Sequence, residues 1–394
     1  MPTASRNLLL PLGLFVLGFL SAALQLGEDA AIGPAFETVS VARNLAAGLG
    51  FSNPFQPLPT GPTALIPPVY PALMAGVIRL FGYGGGFVTV MVLLQLVLNG
   101  IQAALLPAVS ERLLGQRRPG FLAAGALICL PVMPVMPQFE MELQIVILLL
   151  FVLIPVTKWS AVPAALFAAL ALHVNPSSLF LLGGWMLWKR PGIRWSAIWV
   201  GVLVIACAPW AIRNYTVTGR LVFIRNNFPL ELHIANNEIA GPEFFSNLQS
   251  FRSLHPNNNA AEARAVQTLG ETAYFDRCGL YAREWIRRNP GRFLHLTAQR
   301  AFRYWVPRTE PHHWFGWIVG LLTLLAIPAL LRLYKNPVFT AGLLLSPLLY
   351  FVVQADYRYR MPYFWLTLLA ASCTVANWLD RRAARSAGPP SAQQ

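Results

Sequence analysis

Residues Val88–Val109 read "VTVMVLLQLVLNGIQAALLPAV", 22 positions without one charged side chain. Crossing about 30 Å of hydrocarbon takes roughly 20 apolar residues in a helix, so this run is long enough to span a bilayer. "LLLPLGLFVLGFLSAALQL" (Leu8–Leu26) meets the same requirement. Similar apolar runs recur at 67–82, 119–136, 138–157, 160–174, 176–188, 195–212, 314–334, 337–354 and 361–379. Hydrophobic residues make up 56% of the chain and charged residues 12%. In lipid every backbone polar group must be satisfied within the segment, which for such runs means helix. The expectation is an all-α polytopic membrane protein, a bundle of about 10–11 transmembrane or re-entrant helices. No A-x-A-like cleavage site separates Leu26 from Glu28 and Asp29, so the first run reads as a retained helix.

The formal net charge is +14. In a membrane protein such an excess belongs to short cytoplasmic loops, not to nucleic-acid binding. Arg6, "RLLGQRR" (Arg112–Arg118), "KRPGIR" (Lys189–Arg194), "RLYKN" (Arg332–Asn336) and "DRRAAR" (Asp380–Arg385) carry the bias. Cys129, Cys207 and Cys373 lie in apolar runs and Cys278 stands alone in polar sequence, which implies no disulfide framework.

These charges organise the chain. An N-terminal membrane domain covers 1–212 and includes an outer loop at 27–66. A polar segment at 213–312 lies outside, the three C-terminal transmembrane helices occupy 313–380, and 381–394 reads as a disordered cytoplasmic tail. One parity conflict stays open: 67–82 is short, proline-led and carries Arg79, so it crosses fully or re-enters.

The outer face gathers the residues able to do chemistry. In "PAFETVSVARNLAAGLGF", Pro34 and the glycines frame an amphipathic helix with Glu37 at its start, where a carboxylate also suits the helix dipole. Glu28 and Asp29 are the other carboxylates of that loop. "QADYRYRMPYFW" puts Arg358 and Arg360 in a short outer turn against the positive-inside bias; an arginine fork matches phosphate oxygens, and snorkelling to headgroups is the alternative. Arg213 stands where an apolar run leaves the membrane and is the third arginine expected at the donor phosphate. Glu231, Asn236, Asn237 and Tyr70 offer groups of the kind that hold sugar or acceptor hydroxyls, although asparagine-rich loops are commonly turns. Glu140 and Glu142 in "PQFEME" also fall outside. His312-His313 is an incomplete metal-ligand set, so no metal site is assigned. A carboxylate on one outer loop and arginines beside the last helix make a two-part site. The first accepts a proton from a hydroxyl and the second neutralises a phosphate leaving group.

The succession "FETVSVARNLAAGLGFSNPF", "TGPTALIPPVYPALMAGVIRLFG", "PWAIRNY", "HPNNN", "GETAYFDRCGLYAREWIRRNPGRFL" and "DYRYRMPYFWLTLLAA" resembles bacterial GT-C-type integral-membrane glycosyltransferases. It looks closest to the group of protein O-mannosyltransferases and lipid A aminoarabinose transferases, over residues 8 to 380. The resemblance implies a GT-C-like helical bundle in the bacterial inner membrane, with its active site on the periplasmic face. It also implies a polyprenyl-phosphate-linked sugar as donor, a lipid, glycan or protein as acceptor, and a first-loop acid as catalytic base. No cofactor follows from it, and a divalent metal is left open. Glu37 best matches the spacing to "ARNLAAGLGF"; Glu28-Asp29 matches the usual acidic pair after the first helix, so Asp29 ranks second. Ile66 stands where the aminoarabinose branch has a basic residue before its paired prolines, which argues against that sugar. Two rival readings remain: a flippase or transporter of lipid-linked sugars, and a non-catalytic scaffold of the same fold.

Overall fold

A computed structural model describes residues 3–27, 32–33, 36–308 and 313–386. Helix α1 (Thr3–Leu24) is followed by α2 (Glu37–Ala46), α3 (Val69–Phe81), α4 (Gly85–Leu114), α5 (Arg118–Cys129) and α6 (Met141–Leu153). Then come α7 (Ala161–Val174), α8 (Leu179–Lys189) and α9 (Ile193–Thr218). Every apolar run picked out by composition contains a helix, and the protein is an all-α polytopic membrane protein.

Helix α4 organises the bundle. A polar stripe of Gln95, Asn99, Gln102 and Ser110 is buried on one of its faces, while Leu93 and Val97 stay exposed for lipid. Polar side chains on a spanning helix turn inward because hydrocarbon offers them no partner. Against α1 the backbones nearly touch: a Cβ on Gly100 would lie 2.7 Å from the Phe15 carbonyl oxygen. Close crossing through small residues is how membrane helices gain packing where lipid supplies no hydrophobic drive.

Helix α3 addresses the parity conflict. Its 13 residues extend only about 20 Å at 1.5 Å per residue, short of the hydrocarbon thickness. It lies along α2, and at its far end Arg79 donates to the carbonyls of Leu45 (3.0 Å) and Ala46 (3.1 Å) at the C-terminus of α2.

The polar segment forms a helical cap: α10 (Phe228–Ala235), α11 (Leu248–Leu254), α12 (Ala260–Leu269), α13 (Glu271–Arg288) and α14 (Pro290–Trp305). Gly270, at φ +81°, ends α12 and turns the chain into α13, a conformation that disfavours side chains. Asn289-Pro290 closes α13 and opens α14, with proline in the first turn where its missing N–H costs nothing. Helices α15 (His313–Leu333), α16 (Pro337–Thr340), a π-helical turn at Ala341–Leu345, α17 (Ser346–Val352) and α18 (Tyr357–Ser386) complete the chain. The last helix runs to Ser386, past the position where a disordered tail was expected; 387–394 lie outside the described residues.

Candidate active site

The first loop docks onto the cap, and this docking builds the site. Phe51 to Thr63 folds back on itself: Asn53 N–H donates to the Gly61 carbonyl (2.8 Å) and Thr63 N–H to that of Phe51 (3.2 Å). Arg213, in the last turns of α9, donates to the carbonyls of Thr63 and Phe51 and lies against the Phe51 and Trp210 rings. Glu271, at the start of α13, accepts from the Thr63 hydroxyl and from Ala64 N–H (2.8 Å). Burial raises the Glu271 carboxyl to about 6 while these two bonds pull it back. Phe55 meets the edge of the His255 ring, and Phe55, Leu65 and Ile66 share a core with Leu230, Ile234 and Phe275 of the cap. A proline-rich loop loses little entropy when fixed this way.

Between α2, α3, the loop before α6, the cap and the start of α18 lies a cavity of about 600 Å³. Glu37, Tyr70, Glu231 and Arg358 line it, joined by Glu140, Arg225, His255, Asn257, Tyr350 and Tyr359. Glu37 opens α2 as expected. Its carboxylate is 3.5 Å from His255 Nε2 and accepts from Asn257 Nδ2 at 3.4 Å. Burial raises the Glu37 pKa, opposed by its own helix backbone and by the guanidiniums of Arg358 and Arg225. Burial also depresses His255 to about 4, so the imidazole is neutral at pH 7. Its Nδ1 accepts from Asn257 N–H (3.1 Å), which assigns the proton to Nε2, on the side of Glu37. The contact is thus a neutral imidazole N–H beside a carboxylate and not an ion pair.

Two guanidiniums face this carboxylate across the cavity. Arg225 sits between two anchored neighbours. The Ile224 carbonyl accepts from Trp210 Nε1 (3.0 Å), and Asn226 N–H donates to the Ala64 carbonyl (2.9 Å). Its buried Nε has no hydrogen-bond partner. Arg358 is held from behind: Asp356 accepts from its backbone N–H and from Nε, each at 2.9 Å, and pairs with Nη2. Its guanidinium rests 4.4 Å from the Phe139 ring centroid. Tyr350 and Tyr359 stack at 4.5 Å on one wall, Asn227 donates to Glu231 (3.3 Å), and Asn175 donates to Glu140 (2.7 Å).

Other candidates serve elsewhere. "DYRYR" is the first turn of α18, so Arg360 points away from Arg358. Arg360 is buried, donates to the carbonyls of Tyr304 and Trp305 and to the Thr323 hydroxyl, and does not line the cavity. Arg213 is the loop clamp already described. Asn236 ties α10 to α17 through the Val352 carbonyl and accepts from buried Arg300. Asn237 caps the end of α10 and accepts from Ser250. Tyr70 lines the cavity, with its hydroxyl given to the Pro137 carbonyl (2.7 Å). Glu28 and Asp29 lie outside the described residues. The reading of the sequence passed over Arg225 and His255. The signal for the first was a basic residue directly before Asn-Asn in the polar segment. For the second it was a lone histidine in "LHPNNN", read as turn chemistry alone.

No family model and no curated protein matches this sequence. Among solved structures, the oligosaccharyltransferase of Archaeoglobus fulgidus, solved with zinc and sulfate, is similar in fold. It aligns with a TM-score of 0.53 at 14% identity over 94% of this chain. The chain spans 50% of that neighbour's length. Among the described residues no cluster of three or more His, Cys, Asp and Glu side chains is placed to hold a metal.

Proposed function

We propose that this protein is a membrane glycosyltransferase that moves a sugar from a polyprenyl-phosphate donor to an acceptor at the extracytoplasmic face, with inversion. The observation that carries this reading is the single cavity in which Glu37, supported by His255 and Asn257, faces Arg225 and Arg358. Glu37 takes the proton of the acceptor hydroxyl as its oxygen attacks the anomeric carbon. The bond from that carbon to the phosphate oxygen breaks, and the electron pair leaves with the polyprenyl phosphate. A carboxylate whose pKa is raised by burial is a stronger base once ionised. Arg225, with an unused buried donor, and Arg358, preset by Asp356, stabilise the phosphate as charge develops. Glu231 and the Tyr350–Tyr359 wall suit the sugar's hydroxyls and faces.

A second reading rests on Glu142. It is fully buried in α6 with neither carboxylate oxygen hydrogen-bonded, and buried ionisable groups in membrane helices commonly line transport paths. Incubating the purified protein in proteoliposomes with labelled polyprenyl-phosphate sugars separates the two. Transfer or hydrolysis of the sugar is the expected result. Translocation of the intact donor without turnover would replace the enzyme with a flippase.

A further inference from the structure

A second cleft, of about 640 Å³, lies farther along α2, between that helix, the folded first loop and the end of α3. Ser40, Arg43, Asn44, Asn53, Gln56 and Tyr83 line it, with Arg79 at its edge and no carboxylate among its lining residues. The two cationic side chains are exposed. Arg43 has the Tyr83 ring beneath it at 4.5 Å, and among the described residues its guanidinium has no carboxylate partner. Arg79 spends Nε and Nη2 on the end of α2 and likewise has no acidic partner there. Beside these charges stand Leu49, Leu80 and Phe81, exposed by 65%, 79% and 57%. Positive charge, hydrogen-bonding amides and an apolar rim in one place match a ligand with an anionic head and a hydrocarbon tail.

We propose that this cleft is a binding site for the anionic headgroup of a membrane lipid, on the acceptor side of Glu37. The path between the two sites is short. Glu37 and Ser40 are one turn apart on the same face of α2, and Asn44 continues that face. A bridge of hydrogen bonds separates them: Asn257 Nδ2 to Glu37, Gln56 N–H to Asn257 Oδ1 (2.9 Å), and Gln56 Nε2 to Ser40 Oγ (2.6 Å). A lipid held by Arg43 and Arg79 therefore has its headgroup along α2 from the base, across the Asn257–Gln56 bridge. The acceptor role rests on the transferase reading; the binding does not.

The test uses the full-length protein in nanodiscs of phosphatidylcholine mixed with phosphatidylglycerol, followed by native mass spectrometry of the lipids retained. Wild type should keep phosphatidylglycerol in preference. Arg43→Gln, which removes a charged donor seated on the Tyr83 ring, should weaken that retention by about tenfold or more. Arg264→Gln, an exposed arginine of the cap, should leave it unchanged. Equal retention of both lipids by wild type, or an equal loss in Arg264→Gln, would overturn the site. Displacement of the lipid by glycerol 3-phosphate at matched concentration would assign the cleft to a free anion and overturn the lipid. Turnover of a labelled donor is read on the same samples. Selective retention without turnover would support the lipid site and remove the transferase.

Discussion

Arg358 and Arg360 stand two positions apart, and their separation explains how the sequence misleads at the scale of single residues. Read as a turn, both arginines are free to face outward together. As the first turn of a helix they diverge by about 200°. Arg358 then reaches the cavity while Arg360 enters the core between Trp305 and Phe364. Lysine substitution separates their roles. Arg225→Lys and Arg358→Lys keep the charge but lose the fork, and should reduce donor affinity or kcat by about ten- to a hundredfold in steady-state assays. Arg360→Lys should leave both kinetic constants near wild type and lower the melting temperature instead, because the carbonyls of Tyr304 and Trp305 lose a buried donor. Equal kinetic losses in all three would return Arg360 to the phosphate. The base has a signature of its own. As the proposed base Glu37 must be ionised, and burial raises its pKa above the ordinary 4.5, so kcat/KM should rise with pH along an acid limb whose midpoint is above 4.5. A midpoint at or below that value would mean that burial does not govern the carboxylate.

Among elements, the helix of the first loop was legible from Pro34, the glycines that frame it and the Glu37 start. What the loop docks against was not legible. Arg213 read as a phosphate ligand because it stands where α9 emerges, but its guanidinium is turned to the carbonyls of Phe51 and Thr63, with Glu271 behind them. Such contacts join positions 150 and 162 apart in the chain, and no local pattern encodes them. The asparagines of the cap went the same way: Asn236 and Asn237 satisfy backbone groups at the end of α10, the commoner duty of that residue type. The expected effect of Arg213→Gln is a loosened loop. It should lower stability by roughly 1–3 kcal/mol for the donors lost and speed proteolysis between Gln56 and Gly61. Proteolysis at the wild-type rate would show that the hydrophobic contacts of Phe55, Leu65 and Ile66 hold the loop without the clamp.

For the whole molecule, composition alone carried the all-helical membrane fold, because hydrocarbon leaves so few ways to satisfy a backbone. Orientation follows from charge and is open to direct measurement. In a background lacking the exposed Cys129, Pro57→Cys and Asn258→Cys should react with an impermeant thiol reagent added from outside intact cells, and Gln116→Cys should not. Labelling of Gln116→Cys alone would invert the protein and move the cavity to the cytoplasm. The cavity itself is a product of the complete fold: its carboxylate comes from α2, one guanidinium from the segment before α10, and the other from α18. The claim that unites them is a division of labour, with the base on one side and the phosphate on the other. Glu37→Gln tests it most directly, through the equilibrium affinity for a polyprenyl-phosphate sugar and the turnover of that donor in the same preparation. Removal of a general base should lower kcat by about 10²–10⁴ and leave donor affinity close to wild type. Turnover at the wild-type rate, or a loss of affinity that accounts for the whole defect, would contradict the account.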